Sequence, residues 1–347
     1  MIMEDYMTNS NPGARVLVTG GTGYLAGWVI AGLLQHGYRV RTTVRSLDKA
    51  QQVRDAVSEQ TGERAAGTIE FAAADLLGDD GWGEAVAGAD YVLHTASPMP
   101  FGSGVDLITT AREGTRRVLG AAARARVKRA VLTSSGVTAD TGDPDTPATE
   151  TTWTAPSGTP ARAYPDSKIL AERDAWDLAA ATGLELTAVL PTFMQGPVLG
   201  TSNRPGTVEI IRRLLEGKIP AVPNIGWNIV DVRDIAELHI LAMTNPAAAG
   251  QRFLGSGSFL WYRQVARILR EKLPDEASKV PTRTMPDIVV KLLARRNPQL
   301  AMLRPELGRT RLVDSGKART QLGWHPRPTE QTITDTATAL SAESRQG

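Results

Sequence analysis

The sequence predicts an α/β fold in which helices cover both faces of a doubly wound parallel sheet. Across roughly the first 200 residues, short apolar segments with strand character alternate with helical segments. Repeated alternation of this kind is typical of a parallel sheet whose strands are joined by crossover helices. Glycines follow the first predicted strand, and polar residues follow the later ones. Because ligands collect at the carboxyl edge of such a sheet, this pattern also indicates where a binding site lies.

A glycine-rich turn follows the first predicted strand, Arg15 to Val18, and leads into an apolar helix over residues 25–36. Gly20, Gly21 and Gly23 allow a sharp turn and a close approach of the backbone to a pyrophosphate. The helix then directs its amide N–H groups and the positive end of its dipole at that anion. The alternative is a tight turn without a ligand. We expect dinucleotide contacts at Gly20, Thr22, Gly23, Tyr24 and Leu25.

The end of the second predicted strand, residues 38–45, indicates which dinucleotide binds. An aspartate or glutamate here would accept hydrogen bonds from both ribose hydroxyls of NAD, whereas an arginine can pair with the 2′-phosphate of NADP. Arg45 occupies this end, and Ser46 and Lys49 add further donors. The alternative is an exposed loop arginine without a ligand. We predict NADP(H) as the cofactor, with Arg45 and Lys49 near its phosphate.

Three later predicted strands end in residues suited to a ligand. Residues 68–74 lead to Asp75 and Leu76, which could bind the adenine amino group and cover its ring, although Asp75 would look the same as a helix cap. The strands that begin at Tyr91 and Arg129 both end in small polar residues. We expect these ends at the carboxyl edge of the sheet. The residues concerned are Thr95, Ala96, Ser97, Thr133 and Ser135.

The chemical centre is predicted at the start of a long helix that continues to about residue 182. Tyr164 and Lys168 are four residues apart and share a helix face, and Pro165 fits only in the first turn. A nearby lysine ammonium favours ionisation of a tyrosine, whose pKa is otherwise about 10. Such a tyrosine can protonate a carbonyl oxygen as hydride reaches the carbon. Ser135 would donate a hydrogen bond to that oxygen and polarise it.

The glycine turn, the serine pair and the Tyr-x-x-x-Lys spacing together resemble those of extended short-chain dehydrogenases/reductases. The resemblance is greatest with the branch of dihydroflavonol reductases, cinnamoyl-CoA reductases and microbial aldehyde or ketone reductases. The matching segments are residues 18–24, 43–46, 74–76, 94–98, 133–135, 164–168 and 190–192. The resemblance implies a Rossmann-type fold and Ser135, rather than Ser134, as the catalytic serine. It also implies that Lys168 holds the nicotinamide ribose and that Pro191 and Thr192 lie near the nicotinamide carboxamide.

The less regular pattern beyond Pro197 predicts a second, smaller part of the molecule. A dinucleotide-binding domain is expected over residues 15–197, with residues 228–250 returning to it. A mostly C-terminal substrate-binding lobe is expected over residues 198–227 and 251–335, with tails at 1–14 and 336–347. Asp231 and Asp234 begin a helix, where the resemblance implies structural roles. The predicted substrate-pocket residues are Met99, Phe101, Val137, Trp153, Met194 and Trp227.

The composition restricts the classes of function. A formal net charge of +2 gives no case for nucleic acid or a membrane surface as partner. The absence of cysteine excludes disulfides, iron–sulfur clusters and thiol catalysis, and four histidines without ligand-like spacing make a metal site unexpected. No apolar segment is as long as the roughly 20 residues that a membrane-spanning helix needs. We expect a cytoplasmic protein, and the resemblance implies a monomer or a homodimer.

These features favour an NADPH-dependent reductase of an aromatic or aliphatic aldehyde or ketone. A nucleotide-sugar epimerase or dehydratase on the same fold stays open, although a dehydratase needs an extra acid where this chain has Gly136 and Val137. A non-enzymatic NADP(H)-sensing protein also stays open, although sensors typically lose the tyrosine. Residues 261–330 carry 15 Lys or Arg against seven Asp or Glu. This excess could attract an anionic substrate or form a solvated basic surface.

Overall fold

The computed structural model describes residues 12–98, 106–200, 206–297, 300 and 303–346. Met99 and Phe101, two of the predicted pocket residues, lie outside the described residues. In chain order the strands are β1 (Arg15–Val18), β2 (Arg39–Val44), β3 (Glu70–Ala73), β4 (Tyr91–His94), β5 (Arg129–Thr133), β6 (Leu186–Pro191), β7 (Phe193–Gln195), β8 (Val222–Pro223), β9 (Gly226–Asp231), β10 (Arg252–Gly255), β11 (Phe259–Trp261) and β12 (Thr284–Met285).

A seven-stranded sheet forms the centre of the molecule, with the strand order β10-β6-β5-β4-β1-β2-β3. Every pair of neighbouring strands in it is parallel. The order reverses between β1 and β4, and at such a point the connections leave on opposite faces and open a crevice at the carboxyl ends of the strands. The predicted doubly wound α/β fold is confirmed, and its crevice lies where the glycine turn follows β1.

Helices cover both faces of this sheet. In chain order the α-helices are α1 (Tyr24–Gln35), α2 (Ala50–Thr61), α3 (Glu63–Ala66), α4 (Trp82–Val86), α5 (Leu107–Ala125), α6 (Ala163–Thr182), α7 (Gly206–Leu215), α8 (Val232–Thr244), α9 (Tyr262–Lys272), α10 (Asp287–Leu293), α11 (Gly316–Leu322) and α12 (Thr329–Gln346). Val16 and Val18 of β1 pack with α1, α2 and α8, whereas Leu17 packs with α4, α5 and α6. Successive side chains of a strand point to opposite faces, so each face has its own apolar core.

A smaller lobe is built on two short sheets. One has the strand order β11-β9-β7 and the other pairs β12 with β8. Helices α7, α9 and α12 pack together over Ile229 of β9 in a separate apolar cluster. Val208 and Ile211 of α7 and Leu269 of α9 are fully buried in it. The strand β9 continues directly into α8, which packs on the large sheet, so one unbroken segment joins the lobe to the dinucleotide-binding domain.

The structure places two segments differently from the sequence-based expectation. Residues 252–255, assigned to the lobe, form the edge strand β10 of the large sheet. Trp324, also assigned to the lobe, is fully buried in the core beside α8. Its indole Nε1 donates to the carbonyl of Asp234 at 2.7 Å, which fixes the chain after α11 against the large domain. The dinucleotide-binding domain therefore takes up more of the C-terminal half than expected.

Part of each predicted tail belongs to the folded structure. Helix α12 runs to Gln346, and Ala337 and Leu340 within it are buried against the lobe. At the other end, Ala14 is buried and its carbonyl accepts the Arg39 N–H at 3.0 Å. A terminal segment becomes ordered where its backbone and apolar side chains find partners, and both segments find them here. The expectation of tails at 12–14 and 336–346 is therefore wrong.

Candidate active site

The glycine turn after β1 packs against β2 and against the residues that follow β4. The N–H of Gly20 donates to Thr43 Oγ1 at 2.9 Å, and that of Gly21 donates to the Thr43 carbonyl at 2.8 Å. Gly20 has a φ of +75°, which favours glycine, and a Cβ there would lie 3.0 Å from the Cβ of Ala96. A Cβ on Gly21 would lie 2.5 Å from Thr42 Oγ1. The turn therefore needs glycine at both positions for its own packing.

The N-terminus of α1 fits the pyrophosphate of a dinucleotide. The helix is preceded by Gly23, which offers no side chain to cap it, and its first turn contains no acidic residue. The first amide N–H groups of a helix have no partner within it, and an anion satisfies them well. Leu25 is buried, and the Tyr24 hydroxyl donates to the Gly196 carbonyl at 2.9 Å. The Tyr24 side chain thus ties α1 to the segment after β7.

The residues predicted to recognise the ribose and adenine follow β2 and β3. Arg45 and Lys49 are exposed immediately after β2. Asp75 accepts the Leu77 N–H at 3.0 Å, so its carboxylate shapes the turn after β3. Leu76 packs so closely on α5 that a Cβ on Gly114 would lie 2.8 Å from its Cδ2. Arg45 and Lys49 thus follow β2, and Asp75 and Leu76 follow β3, so all four lie beyond the carboxyl ends of the two strands that come after β1 in the sheet order.

At the end of β4, three side chains hold the strand to the glycine turn. Thr95 Oγ1 donates to the Thr19 carbonyl at 2.6 Å, and the Ala96 N–H donates to Thr19 Oγ1 at 3.1 Å. Thr19 Oγ1 is also 2.8 Å from His94 Nδ1. Burial lowers the pKa of His94 to about 3, with the charge of Lys168 as a further cause, so the imidazole is neutral. Ser97 follows, half-buried at the same edge.

Ser135, Tyr164 and Lys168 come together where β5 ends and α6 begins. Ser135 follows the end of β5, Tyr164 lies in the first turn of α6, and Lys168 lies one turn later. The Ser135 side chain is close enough to the Tyr164 hydroxyl to lower the pKa of the tyrosine. Lys168 Nζ donates to the Thr133 carbonyl at 3.3 Å. The structure thus brings Ser135, which lies 29 positions before Tyr164 in the sequence, to the start of the helix that carries Tyr164 and Lys168.

The environment shifts the pKa values of both titratable groups of this cluster. Burial raises the pKa of Tyr164, and the nearby Ser135 side chain opposes this by favouring the phenolate. Burial lowers the pKa of Lys168 to about 8, while the negative charge of Glu172 opposes the loss of its proton. Displaced pKa values on adjacent groups are typical of sites that transfer protons. At neutral pH the pair therefore consists of a neutral phenol and an ammonium group.

His239 on α8 forms a hydrogen bond with Thr133, at the end of β5. Its Nδ1 is 2.8 Å from the Ile235 carbonyl, which only accepts, so Nδ1 carries the proton. Nε2, 2.7 Å from Thr133 Oγ1, therefore accepts the threonine hydroxyl hydrogen. Burial lowers the pKa of His239 to about 4, which keeps it neutral. Sequence reasoning missed this contact because the two residues are 106 positions apart and neither has a local pattern that indicates it.

The end of β6 lies against the serine loop. The Thr192 N–H donates to the Gly255 carbonyl at 3.0 Å, and its Oγ1 donates to the same carbonyl at 3.3 Å. A Cβ on Gly136 would lie 3.1 Å from Thr192 Cγ2 and 3.4 Å from the Pro191 carbonyl. Pro191 and Thr192 are therefore next to the residue that follows Ser135.

The four predicted pocket residues that the structure describes have different packing partners. Val137 is half-buried beside Ser135, and its N–H lies 3.4 Å from Ser135 Oγ. Trp153 stacks on the guanidinium of Arg252, with 3.8 Å from Arg252 Cζ to the ring centroid. Trp227 lies within the lobe, stacked at 4.8 Å on Phe193 and edge-on to Tyr262. Met194 packs against the core of the large domain. These contacts give Trp153, Met194 and Trp227 packing partners, because large apolar side chains near a sheet edge also serve the core.

The described residues lack a metal-ligand cluster and a membrane-spanning helix. Among residues 12–98, 106–200, 206–297, 300 and 303–346, no three or more His, Asp or Glu side chains are grouped as metal ligands would be. In the same part of the chain, no helix is both long and apolar enough to cross a membrane.

Comparisons with known proteins agree with this geometry. Residues 16–254 match the NAD dependent epimerase/dehydratase family. Cinnamoyl-CoA reductase 1 of Petunia hybrida is 36% identical over 268 residues, which cover 76% of this chain and 78% of that protein. Tetraketide alpha-pyrone reductase 2 of Arabidopsis thaliana is 33% identical over 273 residues, with coverage of 76% and 84%.

Solved structures extend the similarity to the C-terminal lobe. The structure of yeast methylglyoxal/isovaleraldehyde reductase Gre2 complexed with NADPH matches with a TM-score of 0.78 at 25% identity and covers 95% of this chain and 99% of that one. The predicted resemblance is therefore confirmed. The match over more than half of the chain, together with the parallel sheet and its glycine turn, shows that the chain belongs to the NAD dependent epimerase/dehydratase family, as an oxidoreductase of the extended short-chain dehydrogenase/reductase type.

Proposed function

We propose that this protein reduces an aldehyde or ketone to the alcohol with NADPH, and that Tyr164 donates the proton. The observation that carries the proposal is the juxtaposition of the Tyr164 and Ser135 side chains at one sheet edge, with Lys168 one turn behind the tyrosine. These groups can serve a single oxygen atom, since a carbonyl oxygen accepts two hydrogen bonds. We further expect the protein to act in the cytoplasm as a monomer or a homodimer.

The residues at the sheet edge fit a nicotinamide dinucleotide. The uncapped start of α1 suits the diphosphate, and exposed Arg45 at the end of β2 suits a 2′-phosphate. The NADPH complex of the similar yeast reductase supports this choice of cofactor. Lys168 would hold the nicotinamide ribose, and Pro191 and Thr192 would lie near the carboxamide. When bound, NADPH would supply the hydride.

The chain's own residues would manage the proton. Ser135 would donate a hydrogen bond to the carbonyl oxygen, which increases the positive character of the carbon. Tyr164 would then transfer its hydroxyl proton to the same oxygen. The raised pKa of Tyr164 keeps the phenol protonated before the reaction, and the Lys168 ammonium stabilises the phenolate afterwards. A buried ammonium has a larger electrostatic effect than one in water because the local dielectric is low.

The substrate class proposed here is a small carbonyl compound with an apolar body. The similar proteins are named for a cinnamoyl-CoA, a tetraketide alpha-pyrone and methylglyoxal or isovaleraldehyde. What these compounds have in common is a carbonyl group, which is the group that Ser135 and Tyr164 are placed to bind. Val137, half-buried beside Ser135, supplies an apolar contact next to it.

The test is the consumption of NADPH, and separately NADH, in the presence of aromatic aldehydes, aliphatic ketones and a cinnamoyl-CoA thioester. We expect alcohol or aldehyde product in stoichiometric amount with the NADPH consumed. Release of epimerised or dehydrated nucleotide sugar without net cofactor consumption would instead identify the epimerase or dehydratase alternative. Tight NADPH binding without any product from either substrate class would contradict the reductase proposal and favour a sensor.

A further inference from the structure

A buried ion pair lies directly behind the catalytic cluster. Glu172 is on α6, one turn beyond Lys168, and Arg252 begins β10. Arg252 Nε donates to Glu172 Oε1 at 2.7 Å, and the two side chains are 7% and 0% exposed. The Trp176 indole also donates to Glu172 Oε1, at 3.3 Å. Removing two charges from water is costly, so such a pair is favourable only where further hydrogen bonds satisfy both groups.

Glu172 fixes the residue before the catalytic serine. Ser134 Oγ donates to Glu172 Oε2 at 2.5 Å, and the Ser134 N–H donates to the Val189 carbonyl at 2.8 Å. The side chain and the backbone of Ser134 are therefore both held, one by α6 and the other by β6. Since Ser135 follows immediately, its Cα has little freedom on this side.

Arg252 fixes the backbone on the other side of Ser135. The Arg252 Nη2 group donates to Thr138 Oγ1 at 2.9 Å. The Thr138 hydroxyl in turn donates its hydrogen to the Ser135 carbonyl, 2.9 Å away. The Thr138 N–H donates to the same carbonyl at 3.0 Å. Arg252 Nη1 also donates to the carbonyls of Glu150 and Thr152, so hydrogen bonds fix both terminal nitrogens of the guanidinium.

We propose that Glu172 and Arg252 are positioning residues, which act through Ser134 and Thr138 to hold Ser135 against the Tyr164 hydroxyl. This inference rests on the proposed function for its catalytic meaning, whereas its structural part can be tested without turnover. Through Ser134 and Thr138, the pair holds the chain before and after Ser135. It also links α6, which carries Tyr164 and Lys168, to the loop that carries the serine. Movement of either partner would therefore separate the hydrogen-bonding groups of the site.

The same carboxylate also acts on Lys168. Glu172 and Lys168 line one small pocket, together with His94 of β4 and Thr133 of β5. His94 is neutral, Thr133 offers only its carbonyl to the ammonium, and Arg252 is paired with Glu172. Glu172 is therefore the negative charge that Lys168 faces. Replacing Glu172 by Gln removes a charge that favours the ammonium form and lowers the pKa of Lys168.

The first experiment compares Glu172→Gln with a matched control, Glu185→Gln. The control breaks another Glu–Arg pair, Glu185 with Arg129 at 2.5 Å, which lies at the opposite end of β5 from Ser135. For Glu172→Gln we expect kcat to fall about tenfold to a hundredfold, the KM for NADPH to stay within about twofold, and the alkaline limb of the kcat profile to move to lower pH. Equal kinetics and pH profiles in the two variants would overturn the proposal.

A second pair of variants tests the Arg252 side without changing a charge. Thr138→Val removes the hydroxyl that joins Arg252 to the Ser135 carbonyl, and Thr138→Ser keeps it. We expect the valine variant to lose kcat about tenfold and the serine variant to recover most of it. A valine variant that keeps the wild-type kcat while the serine variant loses it would mean that the methyl group, not the hydroxyl, matters, which contradicts the proposed path. This pair also keeps the proposal testable if Glu172→Gln does not fold.

A third measurement separates failure of the positioning role from failure of the proposed function. Hydrogen exchange of the peptide covering residues 133–139 needs no substrate. Faster exchange of this peptide in Glu172→Gln and Thr138→Val, but not in Glu185→Gln, supports the positioning role even if the wild type reduces no carbonyl tested. Unchanged exchange together with unchanged kcat overturns the positioning role even if the protein proves to be a carbonyl reductase.

Discussion

Lys168 titrates close to physiological pH. Burial lowers its pKa to about 8, and Glu172 limits the shift. Below this pH the ammonium is present beside Tyr164, and above it the charge is lost. In the proposed reaction this charge would stabilise the phenolate that remains when Tyr164 has given up its proton. The site would therefore have its active protonation state only on the acidic side of this value.

We accordingly predict that kcat for reduction is constant near neutral pH and falls as the pH rises through about 8. Lys168→Arg, which keeps its charge throughout this range, is expected to be slower at neutral pH but to lose the alkaline decline. The measurement is kcat against pH for both proteins with one carbonyl substrate. A wild-type rate that stays level to about pH 10 would show that Lys168 does not control the reaction.

Arg45 provides the second prediction at this scale. If it pairs with the 2′-phosphate, Arg45→Asp should lower kcat/KM for NADPH about a hundredfold, because two or more charge-assisted hydrogen bonds are lost and a like charge is introduced. The same change should leave kcat/KM for NADH unaltered or higher. Arg39→Asp at the exposed start of β2, away from the ligand edge, is the control. A similar loss with both cofactors would mean that Arg45 has another role.

At the scale of elements, α8 depends on its first residues. Asp231 at its N-cap accepts the Arg233 N–H at 2.9 Å and pairs with the Arg233 side chain at 2.8 Å. The Arg233 side chain also forms an ion pair with Asp335 of α12, with 2.6 Å between Nη2 and Oδ2. Asp231 therefore caps the helix that joins the lobe to the large sheet and also anchors the C-terminal helix. This agrees with the structural role that the resemblance implied.

We predict that Asp231→Ala lowers the free energy of unfolding by about 3 kcal/mol, because a fully buried carboxylate is removed from two arginines and from the helix cap. Asp231→Asn keeps a cap acceptor and should lose less than the alanine variant. Urea denaturation followed by circular dichroism measures both. Stabilities within about 0.5 kcal/mol of the wild type would contradict the structural assignment.

The elements differ in how well the sequence predicts them. The glycine turn, β1 to β6 and the Tyr164–Lys168 face follow from local patterns, because turns, alternation and helical spacing involve neighbouring residues. The sequence indicates helix α12 only weakly, because the segment is rich in threonine and has few large apolar side chains, although Ile333, Ala337 and Leu340 have helical spacing. The contact of Glu172 with Arg252 spans 80 positions, and no local pattern indicates it. Long-range polar partners become visible only when the sheet order is known.

For the whole molecule, the glycine turn, the end of β2 and the end of β6 must be held together for the cofactor to bind. A ligand that binds only the folded state raises stability in proportion to the logarithm of its concentration over its Kd. We predict that NADPH at roughly a hundred times its Kd stabilises the protein by about 3 kcal/mol, and that NADH at the same concentration stabilises it less. Thermal denaturation with each cofactor measures this. Equal shifts in Tm would contradict NADP(H) preference.

The most direct test of the central claim is the single-turnover rate of NADPH oxidation by Tyr164→Phe, measured beside the Kd for NADPH. Tyr91→Phe, at the start of β4 and remote from the ligand edge, is the matched control. If Tyr164 is the proton donor, its variant should bind NADPH normally and lose the rate at least about a hundredfold, whereas the control keeps it. A Tyr164→Phe variant that oxidises NADPH at the wild-type rate would show that the proton comes from another group.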